Sequence, residues 1–468
     1  MAAAPLAVAA AEWIELFDGR SLRGWRPSEH KESWKFRDGQ LAADGPRSHL
    51  FYDGPVQGAD FRNFELEVEA LAGPGCNSGV YFHTKYQEAG FPEKGFEIQI
   101  NNTAGGEGNY RERKKTGSLY GIRNVYKQFI PDDRWFKIRV AVRGKNVQVR
   151  LDDLLVVDYV EPNPPVIPEG GEKERFLDHG TFALQCHNQG SNALFRGVRV
   201  RPLPDNAAGP GIAPVVDDTF RKVIDVGRHN FPMVDYHVHL KGGLTLKQAL
   251  DKSRRDGIQY GIAASCGRGF PIEDDAAARK FVDGMRGQPA FVAMQAEGRE
   301  WTKMFSRQAI ASFDYVVTDS MTWTDDRGKR VRLGIPEEVG AIPDAQEFMN
   351  ALVERAVAVL EREPIDIYAN PTYVPDVLAK DYDKLWTEER MAKVAKAAAK
   401  SGVAIELNDR YKLPGAAFVR LAKSAGCKFA FGSNNNGPAD LGRCEYGLRM
   451  IEECNLRWQD FYVPASRA

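Results

Sequence analysis

A chain of 468 residues is too long for one hydrophobic core and is expected to fold as two domains. Its 63 Lys and Arg nearly cancel 64 Asp and Glu, so a net charge of -1 leaves no electrostatic footprint for nucleic acid or an anionic membrane. No apolar run reaches the roughly 20 residues that span a bilayer, and six scattered cysteines without a C-x-x-C imply no disulfide framework.

Residues 1–11 are small and apolar, with A-x-A-like sites around Ala9 to Ala11 but no basic n-region. They read as the remnant of an export signal, which predicts a periplasmic or secreted protein; a disordered leader is the alternative. Residues 12–204 are rich in short alternating runs, aromatics and Gly/Asn turns, such as Phe64 to Ala70, Ser78 to His83, Phe96 to Asn101 and Gly180 to Cys186. That texture predicts an all-β sandwich or jelly roll. The basic cluster Arg111, Arg113, Lys114 and Lys115 reads as a solvated loop.

Period-two alternation assigns faces. In Phe96 to Asn101 the side chains of Glu97, Gln99 and Asn101 share a side; in Asn77 to His83 they are Asn77, Tyr81 and His83; and Gln185 pairs with His187. A solvated strand face is usually Lys, Glu, Thr and Ser. This one offers Asn, Gln, Tyr, His and one carboxylate, groups that make directional hydrogen bonds to hydroxyls. Tyr120 and Lys127 are further candidates for the same cleft. The pattern points to carbohydrate.

Residues 205–231, with Pro210 and Pro214, read as a linker. Over 232–468 apolar runs alternate with helix-period segments, the signature of βα units. Seven runs are counted: Met233–His239, Tyr260–Cys266, Phe291–Glu297, Tyr315–Ser320, Ile365–Pro371, Ala404–Asn408 and Lys428–Asn434. Seven buried parallel strands predict a distorted TIM-like α/β barrel, whose chemistry sits at the C-terminal strand ends. There Asp235-Tyr-His237-Val-His239 places three polar groups on one face. His237 and His239, with Glu297 from the third strand, have the ligand types for one divalent metal ion.

Both halves resemble known families. Leu16 to Trp25, Asn77 to Phe82, Phe96 to Ile100, Thr116 to Tyr120, Leu184 to His187 and Phe195 to Val198 resemble, in order, the motifs of the 3-keto-disaccharide hydrolase family, whose fold is a concanavalin-like jelly roll. The resemblance implies cleavage of glycosides oxidised at the sugar 3-position, with Glu97 and His187 as acid/base pair. Asn77, Tyr81, His83, Gln99, Tyr120, Lys127 and Gln185 would bind substrate. The strand departs from the family at Asn101-Asn102, where an acidic residue is common. Residues from Phe231 onward resemble the polymerase-and-histidinol-phosphatase (PHP) superfamily through Asp235 to His239, Ala296 to Gly298, Ala404 to Asn408 and Phe431 to Asn434. Here Asn370, Asn434 and Asn436 stand in slots where that family usually carries histidine or aspartate, so the resemblance implies a degenerate phosphoesterase with at most one metal. The alternative is a carbohydrate-binding sandwich attached to a hydrolytic, metal-dependent barrel.

Overall fold

The computed structural model describes residues 12–464 apart from 104, 107, 168–172 and 326–327; the leader stretch 1–11 lies outside the described residues. The chain divides into two compact units, with the boundary in sequence between Asn230 and Phe231.

The first unit is an antiparallel sandwich. Its larger sheet runs, in spatial order, Leu154–Val160, Asn146–Leu151, Trp135–Arg143, Phe64–Ala72, Ala193–Pro202, Gln40–Ala43 and Trp34–Arg37, with Ile14–Glu15 added against Ala193–Pro202. The strand Phe64–Ala72 shows why. Phe64, Leu66, Val68 and Ala70 enter the core, while Glu65, Glu67 and Glu69 turn outward. Each fully buried Phe or Leu stabilises the fold by roughly 1.5–3 kcal/mol. The outward glutamates lie among arginines: Arg139 and Arg199 reach Glu67 at 2.7 and 2.6 Å, Arg196 reaches Glu69 at 2.8 Å, and Arg143 and Arg201 hold Glu65.

The smaller sheet runs Trp25–Pro27, Ser48–Tyr52, Thr181–Cys186, Ser78–Thr84 and Phe96–Ile100. Leu50, Val80, Phe82, Ile98 and Leu184 from it join the same core. The stretch read as a linker ends in a helix, Asp218–Arg228. Asp217 caps it by accepting from Phe220 N at 2.9 Å, and Phe220 and Ile224, one turn apart, enter the sandwich core.

The second unit is a closed parallel barrel of seven strands in chain order: Val234–Val238, Gln259–Cys266, Phe291–Ala296, Tyr315–Thr318, Ile367–Tyr368, Ala404–Asn408 and Phe429–Gly432. Helices separate the strands, with local punctuation in the sequence. Thr245 and Gln248 form a capping box, Asp344 caps Ala345–Arg362, and Gly402 ends Glu388–Ser401 in the left-handed region. Between the third and fourth strands lie only the short helices Trp301–Met304 and Arg307–Ala311. Gly261 is a packing requirement: a Cβ there would lie 1.8 Å from the Tyr315 hydroxyl, which crosses the barrel to donate to Tyr236 O at 2.6 Å. All six cysteines are buried free thiols, and among the described residues no helix is long and apolar enough to cross a membrane.

Candidate functional site

The face of the smaller sheet turned away from the core carries two cross-strand rows. In one, His49, Gln185, Gly79 and Gln99 stand opposite one another; in the next, Phe51, Ala183, Tyr81 and Glu97 do. Apart from Gly79 and Ala183 these residues are polar or aromatic, yet all eight are buried. A solvated strand face would be open, so this one is covered by the loops that follow its strands.

Glu97 is the centre of the arrangement. The Tyr81 hydroxyl donates to its Oε2 at 2.8 Å, and Gln185 Nε2 donates to the Tyr81 oxygen at 3.0 Å and lies 3.4 Å from His49 Nε2. Room for the carboxyl comes from Gly79, diagonal to Glu97 on the adjacent strand, where a Cβ would sit 2.5 Å from Glu97 Oε1. Burial pushes Glu97 up to about 7, against the pull of the Tyr81 hydroxyl. A carboxyl at that value exchanges a proton readily in either direction near neutrality. Alongside, Gln99 Nε2 donates to Asn77 Oδ1 at 2.9 Å.

A second tier of buried charge stands close by. Lys114 Nζ lies 3.2 Å from Glu112 Oε1, and the hydroxyls of Tyr110 and Tyr120 donate to Glu112 Oε2 at 2.7 and 2.9 Å. Burial works against the ionised Glu112, but Lys114 and these donors hold it below the usual carboxylate range. The basic cluster is therefore no solvated loop: Lys114 is 0% exposed and Lys115 is buried as well. Asn101 Nδ2 donates to Glu112 O at 3.0 Å and to Lys114 O at 2.8 Å, which ties this loop to the strand. An acidic residue at 101 would have no donor for those carbonyls.

Of the residues singled out in the sequence, the fold brings Asn77, Tyr81, Glu97, Gln99 and Gln185 together, with Tyr120 in the second tier. His187 lies just past the end of its strand, half-buried, with its Nδ1 3.2 Å from Asn188 Oδ1 and its ring 5.1 Å from that of Phe91. His83 turns away. The pairing of its strand with Thr181–Cys186 shifts register there, its φ is +54°, and its ring packs on Phe64 of the core. Its Nε2 lies 2.9 Å from Arg62 O and its Nδ1 accepts from Asp178 N at 3.3 Å, so it is a structural residue. Lys127 is half-buried, with Nζ 5.9 Å from the Phe129 ring centroid. Sequence reasoning missed His49, Gly79, Glu112 and Lys114. The signal for His49 was the alternation of Ser48-His49-Leu50-Phe51-Tyr52, which sets His49 and Phe51 opposite the core residues Leu50 and Tyr52.

At the barrel mouth the polar groups answer one another. His237 Nδ1 meets Glu406 Oε1 at 2.5 Å and its Nε2 lies 3.3 Å from Gln295 Oε1. Glu406 Oε2 accepts from Asn370 N and Asn408 Nδ2, both at 2.9 Å, and Asn370 Nδ2 donates to Asp319 Oδ2 at 2.9 Å. The rings of His237 and His239 are 4.9 Å apart, and His239 Nδ1 lies 3.2 Å from Ala263 O. Burial pushes Glu297 up to about 8, with Asp319 adding to it. Among the described residues no three His, Cys, Asp or Glu side chains are grouped to hold a metal ion. As arranged, His237, His239 and Glu297 do not fit the divalent ion expected from the sequence, because both nitrogens of His237 already face protein partners.

Residues 12–201 match the family model of a 3-keto-alpha-glucoside-1,2-lyase-like domain. A 3-keto-disaccharide hydrolase of Bacteroides thetaiotaomicron is 34% identical over 86 residues, which are 16% of this chain; the match spans only 29% of that relative's length. A solved structure from Parabacteroides distasonis, an inferred glycosyl hydrolase, is 20% identical over 41% of this chain and 94% of its own, with a TM-score of 0.35. A histidinol phosphate phosphatase of Lactococcus lactis, solved with zinc, L-histidinol and phosphate, is 13% identical over 48% of this chain and 95% of its own, with a TM-score of 0.37. The first unit thus resembles the 3-keto-disaccharide hydrolases.

Proposed function

We propose that this chain cleaves 3-keto-glycosides by acid/base elimination and hydration at the outer face of the smaller sandwich sheet. The observation that carries the reading is Glu97: one buried carboxyl, held near neutrality, hydrogen-bonded by Tyr81 and seated in the slot left by Gly79. The family match over residues 12–201 supports the substrate class.

A ketone at C3 acidifies the C2 hydrogen. Glu97 as carboxylate takes that proton, the C1–O bond breaks, and a C1=C2 double bond conjugated to the ketone remains. His187 gives the departing oxygen its proton. Water then adds, giving its hydroxyl to C1 and its proton to His187, while Glu97 returns its proton to C2, so one water is consumed and a free 3-keto sugar and an alcohol are released. Donors on the same face, among them the Gln99 and Asn77 amides, bind hydroxyls and the developing enolate oxygen.

Turnover of a 3-keto-glucoside by the full chain is the test. Glu97→Gln removes the base while keeping the shape and should abolish it; His239→Ala, in the barrel, should leave it within a few-fold. A dead His239→Ala variant beside an active Glu97→Gln variant would overturn the proposal and make the sandwich a binding module for a catalytic barrel.

A further inference from the structure

The barrel's second strand, Gln259–Cys266, is left partly bare. Of the described residues in the seven barrel strands, only Ala264 and Ser265 are not buried. The helix that follows this strand, Asp275–Gly284, does not close over it, and Ala278 is the one buried residue of that helix. Ala277, Phe281, Gly284 and Met285, spaced i, i+4, i+7 and i+8, make the kind of face that a barrel helix ordinarily packs on its strands. Two of the four are too small to do so. A Cβ added to Gly284 would meet nothing within 4 Å.

This face, with Ile262 and Ala264 of the strand, lines a cavity of about 720 Å³, within the roughly 300–1,000 Å³ of small-molecule sites. Protein interiors close-pack and leave few voids larger than a water molecule. Here small residues face small residues across two layers and keep an apolar slot open.

The polar lining is graded from inside to outside. His239 is buried and Ser265 half-buried. Burial keeps the His239 ring neutral, and its Nδ1 lies 3.2 Å from the Ala263 carbonyl, so Nδ1 bears the proton. Nε2 is left as an acceptor. Neither Nε2 nor the Ser265 hydroxyl has a hydrogen-bond partner among the described residues. At the rim, Lys241 and Lys280 are exposed, and neither ammonium makes a hydrogen bond or close ion pair among the described residues. The charged groups that act on Lys241 are Arg410, itself a cation, and Asp440 and Glu297. Asp440 already accepts from the backbone N–H groups of Asn436 and Gly437.

We infer that this cavity binds a hydroxylated aromatic carboxylate: the ring lies in the slot, its hydroxyl donates to His239 Nε2 beside Ser265, and Lys241 and Lys280 hold its carboxylate. A plain aliphatic acid would set its tail against the His239 acceptor and leave that group unpaired, which is costly. A flat ring fits two facing walls and holds its polar ends apart without losing flexibility on binding. This binding is independent of the chemistry proposed for the sandwich.

Calorimetry on the full chain tests the site, with 4-hydroxycinnamate, cinnamate, methyl 4-hydroxycinnamate and decanoate as probes. The hydroxy acid should bind in the micromolar range. Cinnamate, without the hydroxyl, and the methyl ester, without the charge, should each bind about tenfold more weakly, and decanoate more weakly still. Ala277→Leu puts a good helix former into the slot. It should abolish binding while the melting temperature holds or rises. The double variant Lys241→Gln/Lys280→Gln, changed only at exposed positions, should bind the acid about tenfold more weakly and the ester unchanged. The inference is overturned if the hydroxy acid does not bind, if the probes bind alike or decanoate binds best, or if binding survives both variants. Should Ala277→Leu fail to fold, the lysine variant decides alone.

Discussion

The outer sandwich face and the barrel mouth are both crowded with buried Asn, Gln, His and carboxyl groups, but they dispose of them differently. At the mouth, His237, Glu406, Asn370, Asp319 and Asn408 use one another as partners, and the fully buried unpartnered atoms there, Asp235 Oδ2 and Ser433 Oγ, lie outside that chain of bonds. On the sandwich face the chain of bonds from Glu97 through Tyr81 and Gln185 to His49 runs out, leaving His49 Nδ1 and Gln185 Oε1 over. Polar groups that satisfy each other specify a fold; those kept buried and unsatisfied are costly and mark where a ligand completes the set. The number of polar residues in a cluster is therefore a poorer guide to function than what remains unpaired.

The largest effect expected is on the sandwich. Glu97→Gln should lower kcat on a 3-keto-glucoside by roughly a hundred- to ten-thousand-fold, the range for an acid/base group; a change under tenfold would put the chemistry elsewhere. In the barrel the same kind of change should act on folding. Glu406→Ala strands His237 without its partner and should cost about 3–5 kcal/mol in denaturant unfolding, with sandwich turnover per folded molecule unchanged. Loss of turnover without loss of stability would erase the contrast between the two regions.

Glu97 also links activity to pH. The rate should climb as pH rises through about 7, where the carboxyl becomes a base. Its folded value lies above the ordinary 4.5, so the unfolded chain gives up the proton first. Stability should fall as pH rises from about 4.5 to about 7 and level off above. Glu97→Gln should remove that slope and stabilise the protein at pH 8 by up to about 3 kcal/mol. Gly79→Ala sharpens the point: its methyl must displace Glu97, costing roughly 1–3 kcal/mol and a larger share of turnover than the stability loss explains. The smallest effect is reserved for chelation. Dialysis against EDTA should shift neither the melting temperature nor turnover, since His237 is engaged with Glu406 and Gln295; a drop of several degrees would show a metal that the side chains rearrange to hold.

Much of this was legible in one dimension. The alternation in Phe96 to Asn101 put Glu97 and Gln99 on one face, and the βα rhythm located all seven barrel strands. Asn101 stood out as a departure, though its work as a donor to the loop carbonyls of Glu112 and Lys114 was not visible. His83 was misassigned because a register shift at the end of its strand breaks the alternation on which the reading relied. Lys114 looked solvated because its partners, Glu112 aside, come from the fold around it.

The sequence by itself determined the two folds, the faces of the strands and the chemical types available on each. Those follow from interactions between near neighbours along the chain, whose periods of 2 and 3.6 residues are written into it. Only the tertiary structure decided which groups meet. His237 finds Glu406 169 residues away, Gln185 reaches Tyr81 across 104, and Gly79 yields its space to a carboxyl on the adjacent strand. Such pairings depend on strand order and register, and no local period encodes them.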